Sequence, residues 1–235
     1  MRTFTPLASG DARQQLDILV DQNASASAYQ GAMTALGRHL AAEVVTRNPS
    51  IKQSTVCVAC TVEDADYLAR GLLEGLAETG VDSSQLKLVC FWNERVRRFN
   101  GDDHDSFDVA PIVKQYREEV DISNAVIVVV KSIISGACVV KTNLATLIDH
   151  VLPQRIIVVA PVMLEGAETR LSAEFPSSTA GKFEYFTFAI DTERDRNDNV
   201  VPGIGGSVYE RLGFEDKTSY VPELVKQRRR GLAHA

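Results

Sequence analysis

The sequence predicts an α/β protein built on a doubly wound, mostly parallel sheet. The segment Ala125–Val130 is a continuous, β-branched apolar run, which is typical of a strand buried on both faces. Apolar, strand-like runs alternate along the chain with amphipathic segments of helical spacing, as in folds with helices on both faces of a parallel sheet. With 235 residues, 45% of them apolar, the chain is long enough for one large domain with a full core.

Helical spacing dominates the N-terminal part, where residues 11–47 predict two helices, around Gln15–Leu19 and Ala32–Val44. A further amphipathic helix is predicted over Asp64–Thr79, and Gly80 is a typical residue for its end. The pattern also predicts a helix over Cys138–His150. The predicted strands are, in order, Val56–Thr61, Leu86–Trp92, Ala125–Val130, Arg155–Ala160 and Phe183–Ile190.

Two polar regions lie outside these elements. The stretch Asn100–Asp108 is predicted to be a loop. Its acidic residues and His104 could instead form a cation site, but this alternative is less favoured because the ligands of a cation need a rigid frame. We expect one domain over residues 1–214 and a C-terminal extension over residues 215–235. Within that extension, Tyr220–Val225 either packs on the domain or binds a partner.

Composition excludes several classes of protein. The net charge of -6 argues against a general nucleic-acid binder, and the basic cluster Lys226–Arg230 is interpreted as a solvated tail. No apolar run has the length of a membrane span, and the first residues lack the apolar centre of a signal peptide, so we expect a cytoplasmic protein. The Cys57/Cys60 pair and the other two cysteines, Cys90 and Cys138, are interpreted as buried small hydrophobes rather than as a zinc or redox site.

In a sheet of this class, ligands bind beyond the carboxyl ends of the strands. This rule selects four segments: Thr61–Asp66, Trp92–Arg98, Lys131–Cys138 and Val201–Tyr209. The third is interpreted as a phosphate-binding turn, because backbone N–H groups at a helix start attract anions. Its candidate residues are Ser132, Ser135, Gly136, Ala137 and Cys138.

The fourth segment lies within V-V-P-G-I-G-G-S-V-Y, residues 200–209, which has three glycines among four residues. That composition fits neither a strand nor a helix, and it indicates a shaped loop whose backbone closely approaches another group. The sequence of the loop alone leaves open what it approaches.

The chain resembles the uracil phosphoribosyltransferase family along nearly its whole length. The segments that carry the resemblance, in order, are Asp108–Tyr116, Leu164–Leu171, Phe175–Pro176, Thr187–Asp191 and Val201–Gly205. The resemblance implies a phosphoribosyltransferase-like fold with N-terminal helices and a C-terminal hood loop, and a homo-oligomer. It also implies that Val201, Gly203, Ile204 and Gly205 bind a pyrimidine base through backbone groups.

This sequence departs from the family at the residues that hold the donor. The family has acids at the positions of Gly206 and Tyr209, and an aspartate that engages the ribose hydroxyls at the position of Val130, where a valine accepts no hydrogen bond. Glu63 falls at or beside an arginine of the family's pyrophosphate loop. We therefore expect that the chain does not make UMP from uracil and phosphoribosyl pyrophosphate at an ordinary rate.

Two interpretations follow. In the first, the site is redirected to another ribose phosphate, nucleotide or small metabolite. Any reaction would then be that of a related transferase, and the candidate catalytic residues are Glu63, Asp64 and Lys131. In the second, the chain is a catalytically silent relative that acts as a sensor, a regulator or a subunit of an assembly. Other strand-end candidates are Asn93, Arg95, Asp191 and Tyr209. No cofactor or metal site is indicated, and Mg²⁺ is expected only with a phosphorylated ligand.

Overall fold

The computed structural model describes residues 1–94, 96–99, 106–214 and 219–232. The helices of the N-terminal half are α1 (Gly10–Val20), α2 (Ala26–Arg47), the short α3 (Val62–Asp64) and α4 (Arg70–Glu78), with a π-helical turn at Ala65–Ala69 between the last two. The later helices are α5 (Cys138–Ile148), α6 (Ala167–Ala173), α7 (Ser177–Ala180), α8 (Val208–Leu212) and α9 (Glu223–Leu232).

The strands are β1 (Arg2–Phe4), β2 (Thr55–Thr61), β3 (Leu86–Asn93), β4 (Val96–Phe99), β5 (Ser106–Val109), β6 (Ile112–Arg117), β7 (Ala125–Val130), β8 (Ile133–Ile134), β9 (Arg155–Leu164), β10 (Phe183–Asp191), β11 (Glu193–Arg194) and β12 (Val200–Val201). Some strands alternate with these helices, and others follow one another directly, as β3 to β8 and β10 to β12 do. All five predicted strands and all four predicted helical regions are therefore present.

The main sheet has the strand order β1-β10-β9-β7-β2-β3-β6, with β8 paired beside β9. Strands β10, β9, β7, β2 and β3 run parallel, and the two edge strands β1 and β6 are antiparallel to their neighbours. The predicted class, an α/β protein with a doubly wound, mostly parallel sheet, is confirmed. The antiparallel edge strands, which were not predicted, are short or largely exposed and give little apolar signal.

Helices cover both faces of the sheet. On one face Leu16, Leu36 and Leu72 of α1, α2 and α4 pack in one core with Val58 and Val128 of β2 and β7. The other face forms a second core with α5 and α6, and its members include Val140, Leu144, Leu171, Ile127 and Val158. Both cores need apolar side chains from the same strands, which explains the continuous apolar runs.

The cysteines follow the same alternation. Cys57 lies in the core on one face and Cys60 in the core on the other, because residues three apart in a strand point to opposite faces. The pair therefore cannot bind one ion together. Burial raises the pKa of the Cys57 thiol to about 12, in keeping with an unreactive hydrophobe. Cys90 is also buried, and Cys138 is half-buried.

The predicted polar loop is only partly described. Residues 106–108 belong to β5, which pairs with β4 in a two-stranded hairpin, so the loop prediction is wrong for that end. Residues 100–105, with His104, lie outside the described residues. Across the described ranges, no helix has the length and apolar character needed to cross a bilayer.

The C-terminal segment packs on the domain. Asp66, in the π-helical turn, accepts hydrogen bonds from the backbone N–H groups of Glu223 and Leu224 at 2.9 and 2.7 Å, and it also contacts the Tyr220 hydroxyl. The indole Nε1–H of Trp92 donates to the Tyr220 carbonyl at 2.9 Å. Asp66 thus caps α9 from a distant part of the sequence, satisfying N–H groups that a helix cannot pair itself.

Candidate functional site

The segments after β2 and β7 meet at the carboxyl edge of the sheet, as predicted for neighbouring parallel strands. Lys131 Nζ lies 2.8 Å from Glu63 Oε1 and 2.7 Å from Asp64 Oδ2. Only 9% of the Lys131 side chain is exposed, 12% of that of Glu63 and 1% of that of Asp64. We call these three residues the buried triad.

Neutral groups complete the triad. The Thr61 hydroxyl donates to Asp64 Oδ2 at 2.8 Å, and the Ser132 backbone N–H donates to Asp64 Oδ1 at 3.1 Å. The Tyr209 hydroxyl donates to Glu63 Oε2 at 2.7 Å. Lys131 therefore does not point to water but is held by the two carboxylates.

The two carboxyl groups differ in their pKa. Burial alone would raise the pKa of Glu63, but Lys131 and the Tyr209 hydroxyl outweigh it and lower that pKa to about 2. Burial raises the pKa of Asp64, with Lys131 opposing and Glu63 reinforcing that shift. Burial would lower the pKa of Lys131, but the two carboxylates raise it. With one lysine for two acids, the more deeply buried acid holds its proton more strongly.

The space beneath the triad is nearly filled. The gap bounded by residues such as Cys60, Phe91 and Lys131 has a volume of about 10 Å³, barely room for one water molecule. The Tyr209 hydroxyl is bonded to Glu63, whereas the indole N–H of Trp92 is bonded to the C-terminal segment. The charged side chains of the triad thus bind one another, and little space remains between them and the core below.

Asn93, another strand-end candidate, is occupied in the same way. It exchanges two hydrogen bonds with Asn143 of α5, at 2.7 and 2.9 Å, and it donates to the Ala110 carbonyl at 2.9 Å. These bonds join the end of β3 to α5. Arg95 lies outside the described residues.

The predicted phosphate-binding turn divides into two parts. Ser132 belongs to the triad side, and its buried hydroxyl has no hydrogen-bond partner among the described residues. Between it and the helix, β8 pairs with β9, and Ser135, Gly136 and Ala137 then lead into Cys138 at the start of α5. Ala137 is the N-cap residue and provides no side-chain hydrogen bond to the first turn.

A cavity of about 170 Å³ lies against this turn. Its walls come from the turn and α5 on one side and from the β11–β12 hairpin on the other, and they include Lys131, Ser135, Gly136, Cys138, Arg194 and Asp198. Arg194 Nη2 donates to the Ser135 carbonyl at 2.7 Å, so the arginine reaches across to the turn. The polar hairpin sequence carries no signal that would have identified Arg194.

The glycine loop approaches the protein's own backbone. A Cβ on Gly205 would lie 1.9 Å from the Leu19 carbonyl oxygen of α1, and one on Gly203 would lie 2.3 Å from the Val200 carbonyl oxygen. Both glycines also have positive φ, 57° at Gly203 and 77° at Gly205, which favours residues without a side chain. Close packing within the chain is therefore enough to explain why both positions are occupied by glycine.

Several backbone groups of the predicted base-binding loop already have partners, including the Gly205 N–H, which donates to the Pro202 carbonyl at 3.2 Å. Gly203 N–H donates to Asp191 at 2.8 Å, the Gly203 carbonyl accepts from Arg2, the Ile204 carbonyl accepts from the Tyr29 hydroxyl at 2.9 Å, and the Gly205 carbonyl accepts from Gln22 at 3.2 Å. Val201 lies at the start of the loop and is exposed. Base binding by these four loop residues remains a prediction, and the occupied groups reduce the backbone donors and acceptors that a base could use.

Asp191, predicted as a strand-end candidate, anchors the loop. Its carboxylate is fully buried and accepts two hydrogen bonds from Arg2, at 2.9 and 2.8 Å, besides that from Gly203. Arg2 was not predicted. Its partner is 189 residues away in the sequence, and no local pattern connects the two.

Comparisons with known proteins give similarity of structure only. No protein-family model matches the sequence, and no curated protein matches it either. The structure is similar to that of the AQ2163 protein from Aquifex aeolicus, with a TM-score of 0.62, 13% sequence identity, and coverage of 89% of this chain and 97% of that chain. At this identity the likeness shows a shared fold.

Two other solved structures are less similar. A hypothetical protein from Neisseria gonorrhoeae with bound ppGpp has a TM-score of 0.47 and 14% identity, covering 69% of this chain and 80% of that one. The hypoxanthine-guanine phosphoribosyltransferase of L. donovani has a TM-score of 0.41 and 12% identity, covering 68% of this chain and 77% of that one. Both scores are too low to carry a conclusion about this chain.

Proposed function

We propose that this chain is a divergent relative of the uracil phosphoribosyltransferases that binds a small ribose phosphate and does not make UMP. The proposal joins the sequence resemblance to the geometry of the strand ends. The observation that carries it is the cavity of about 170 Å³ at the Ser135–Cys138 turn, beside a triad that closes the neighbouring position.

The triad argues against transfer from phosphoribosyl pyrophosphate. That reaction depends on neutralising the charge of the leaving pyrophosphate. By the resemblance, Glu63 stands where the family places a basic loop, and the structure adds Asp64 beside it with a single lysine between them. A tetra-anionic donor there would be repelled by about 1 kcal/mol or more for each close pair of like charges.

The cavity instead suits a single phosphoryl group with a small attachment. Among the described residues, the N-cap residue Ala137 provides no side-chain hydrogen bond to the first turn of α5, and helix N-termini favour anions through their N–H groups and dipole. The Ser132 hydroxyl, which has no partner among the described residues, lies on the triad side and does not line this cavity, so it adds nothing to the phosphate site. The volume is below the ~300–1,000 Å³ of sites for drug-sized ligands, which favours ribose 5-phosphate over a complete nucleotide.

The proposal is tested by titration calorimetry of the full chain with ribose 5-phosphate, UMP, phosphoribosyl pyrophosphate and pyrophosphate, with and without Mg²⁺, and by an assay of UMP synthesis. We expect binding of ribose 5-phosphate that exceeds binding of phosphoribosyl pyrophosphate, and no UMP. Tight, Mg²⁺-dependent binding of phosphoribosyl pyrophosphate with UMP formation at an ordinary rate would overturn it. Mg²⁺ has no assigned ligand, and among the described residues no cluster of acids, histidines or cysteines could hold one.

A silent relative is the second candidate function. The saturation of the triad and of the loop's backbone groups by contacts within the chain favours it. In that case none of the four ligands binds, and the chain acts as a subunit or regulator through a protein partner or through the homo-oligomer that the resemblance implies. Light scattering coupled to size-exclusion chromatography measures the oligomer, independently of any ligand.

A further inference from the structure

Arg194 occupies the side of the cavity opposite the turn. It lies on β11, in register with Val200 of β12, and its Nη2 donates to the Ser135 carbonyl at 2.7 Å. Its Nη1 donates to the Asp198 carbonyl at 2.8 Å and pairs with the Asp198 carboxylate at 2.9 Å. The side chain therefore spans from the hairpin to the turn.

The charges at the cavity single out this residue. Among the described residues that line the cavity, the cations are Lys131 and Arg194. Lys131 is compensated twice, by Glu63 and by Asp64, in a buried setting. Within the part of the chain that the structure describes, the ion pair of Arg194 is with Asp198 alone, whose side chain is 75% exposed, and exposed ion pairs contribute little.

We infer that Arg194 is the cation that recognises the phosphoryl group of the ligand, and that it selects a phosphate monoester over a diphosphate. The inference rests on the proposed function. A guanidinium offers five donors in a planar fork that matches two oxygens of one phosphate, and it can exchange the Ser135 carbonyl for a charged acceptor. One arginine and one helix start match a single phosphoryl group, and Asp198 would repel a second one.

The test is calorimetry of the full chain with ribose 5-phosphate, with ribose and pyrophosphate as comparison ligands. Arg194→Ala should weaken binding of ribose 5-phosphate by about 10- to 100-fold, the loss expected for charge-assisted hydrogen bonds. Arg194→Lys should lie between, because lysine keeps the charge but not the fork. Asp198→Asn should tighten binding, since it removes the competing acceptor and the repulsion.

Arg196, exposed on the same hairpin, provides the matched control: Arg196→Ala should bind within twofold of wild type. Equal losses in the two alanine variants would show a general charge effect and overturn the inference, as would wild-type affinity in Arg194→Ala. Thermal melts of each variant check folding, and Arg194→Lys serves if Arg194→Ala is unstable. If the wild-type chain does not bind ribose 5-phosphate at all, the proposed function is overturned as well. If the wild-type chain binds it and Arg194→Ala binds it equally well, only this inference is overturned.

Discussion

Lys131 donates a hydrogen bond to Asp64 across 2.7 Å, and both side chains are buried where two parallel strands end. Glu63 receives a second bond from the same ammonium group. The strand-end charges thus form a structural unit. Disrupting this unit should lower the free energy of unfolding more than it changes the affinity for any ligand.

Lys131→Met should destabilise the fold by about 3–5 kcal/mol, because it leaves two carboxyl groups buried without their cation. Urea unfolding measures this cost. Lys141→Met is the matched control, since Lys141 pairs with Glu174 at the surface with 47% of its side chain exposed, and it should cost about 0–1 kcal/mol. Similar costs for the two variants would contradict a buried triad.

Glu63 should make stability depend on acid pH. The pKa of Glu63 is lowered from 4.5 to about 2 in the fold, so its carboxylate stabilises the folded state above pH 4.5, and this contribution is lost as the pH falls from about 4.5 through about 2. Glu63→Gln should therefore flatten the acid side of the curve of unfolding free energy against pH.

Asp64 should act with the opposite sign. Burial raises its pKa, so its contribution is most favourable at low pH and declines as the pH rises past the ordinary value of 3.8. Asp64→Asn should therefore make the unfolding free energy fall more steeply as the pH decreases, whereas Glu63→Gln should make it fall less steeply. Parallel shifts in the two variants, or no difference from wild type in either, would be inconsistent with the assigned pKa directions.

Asp66→Ala should loosen the C-terminal segment. It removes the acceptor for the N–H groups of Glu223 and Leu224, and the expected cost is about 1–3 kcal/mol. Hydrogen exchange should rise over residues 219–232. Asp82→Ala, which removes an exposed side-chain bond to the Ser84 N–H, should change stability by no more than about 0.5 kcal/mol and leave that exchange unaltered.

Asp191→Asn should destabilise the glycine loop together with the fold. Arg2, whose side chain is 11% exposed, loses its counter-charge, at a cost of about 3 kcal/mol in the unfolding free energy. Amide exchange should increase over Val200–Gly205. The control Asp195→Asn alters an exposed turn of the neighbouring hairpin and should leave the loop protected. A loop that exchanges equally slowly in Asp191→Asn would show that other contacts hold it.

The fold could be predicted to the extent that apolar patterns determine it. Ala125–Val130 needed no more than its β-branched run, and the strand-end rule brought Glu63, Asp64 and Lys131 to one edge. Their mutual pairing could not be predicted, because side-chain distances depend on the register between β2 and β7. The π-helical turn at Ala65–Ala69 likewise has no signal in the sequence.

The glycine loop shows a second limit of the sequence. Its composition correctly indicated close approach of the backbone, but the approached group, the Leu19 carbonyl, belongs to α1, near the other end of the sequence. Arg2 and Arg194 were missed for the same reason. Each acts through a contact that only the tertiary structure creates, and neither sits in an apolar pattern or in a segment of the resemblance that assigns it a role.

Trp92 gives the chain an optical reporter of its own. It is the single tryptophan of the sequence, its indole N–H is bonded to the Tyr220 carbonyl, and the Lys114 ammonium lies 4.8 Å from the centre of its ring. Fluorescence emission from this one ring therefore reports whether the segment that contains Tyr220 and α9 is packed on the domain. The wavelength and intensity of this emission, measured without any label, can follow the packing of that segment through every titration of the intact protein.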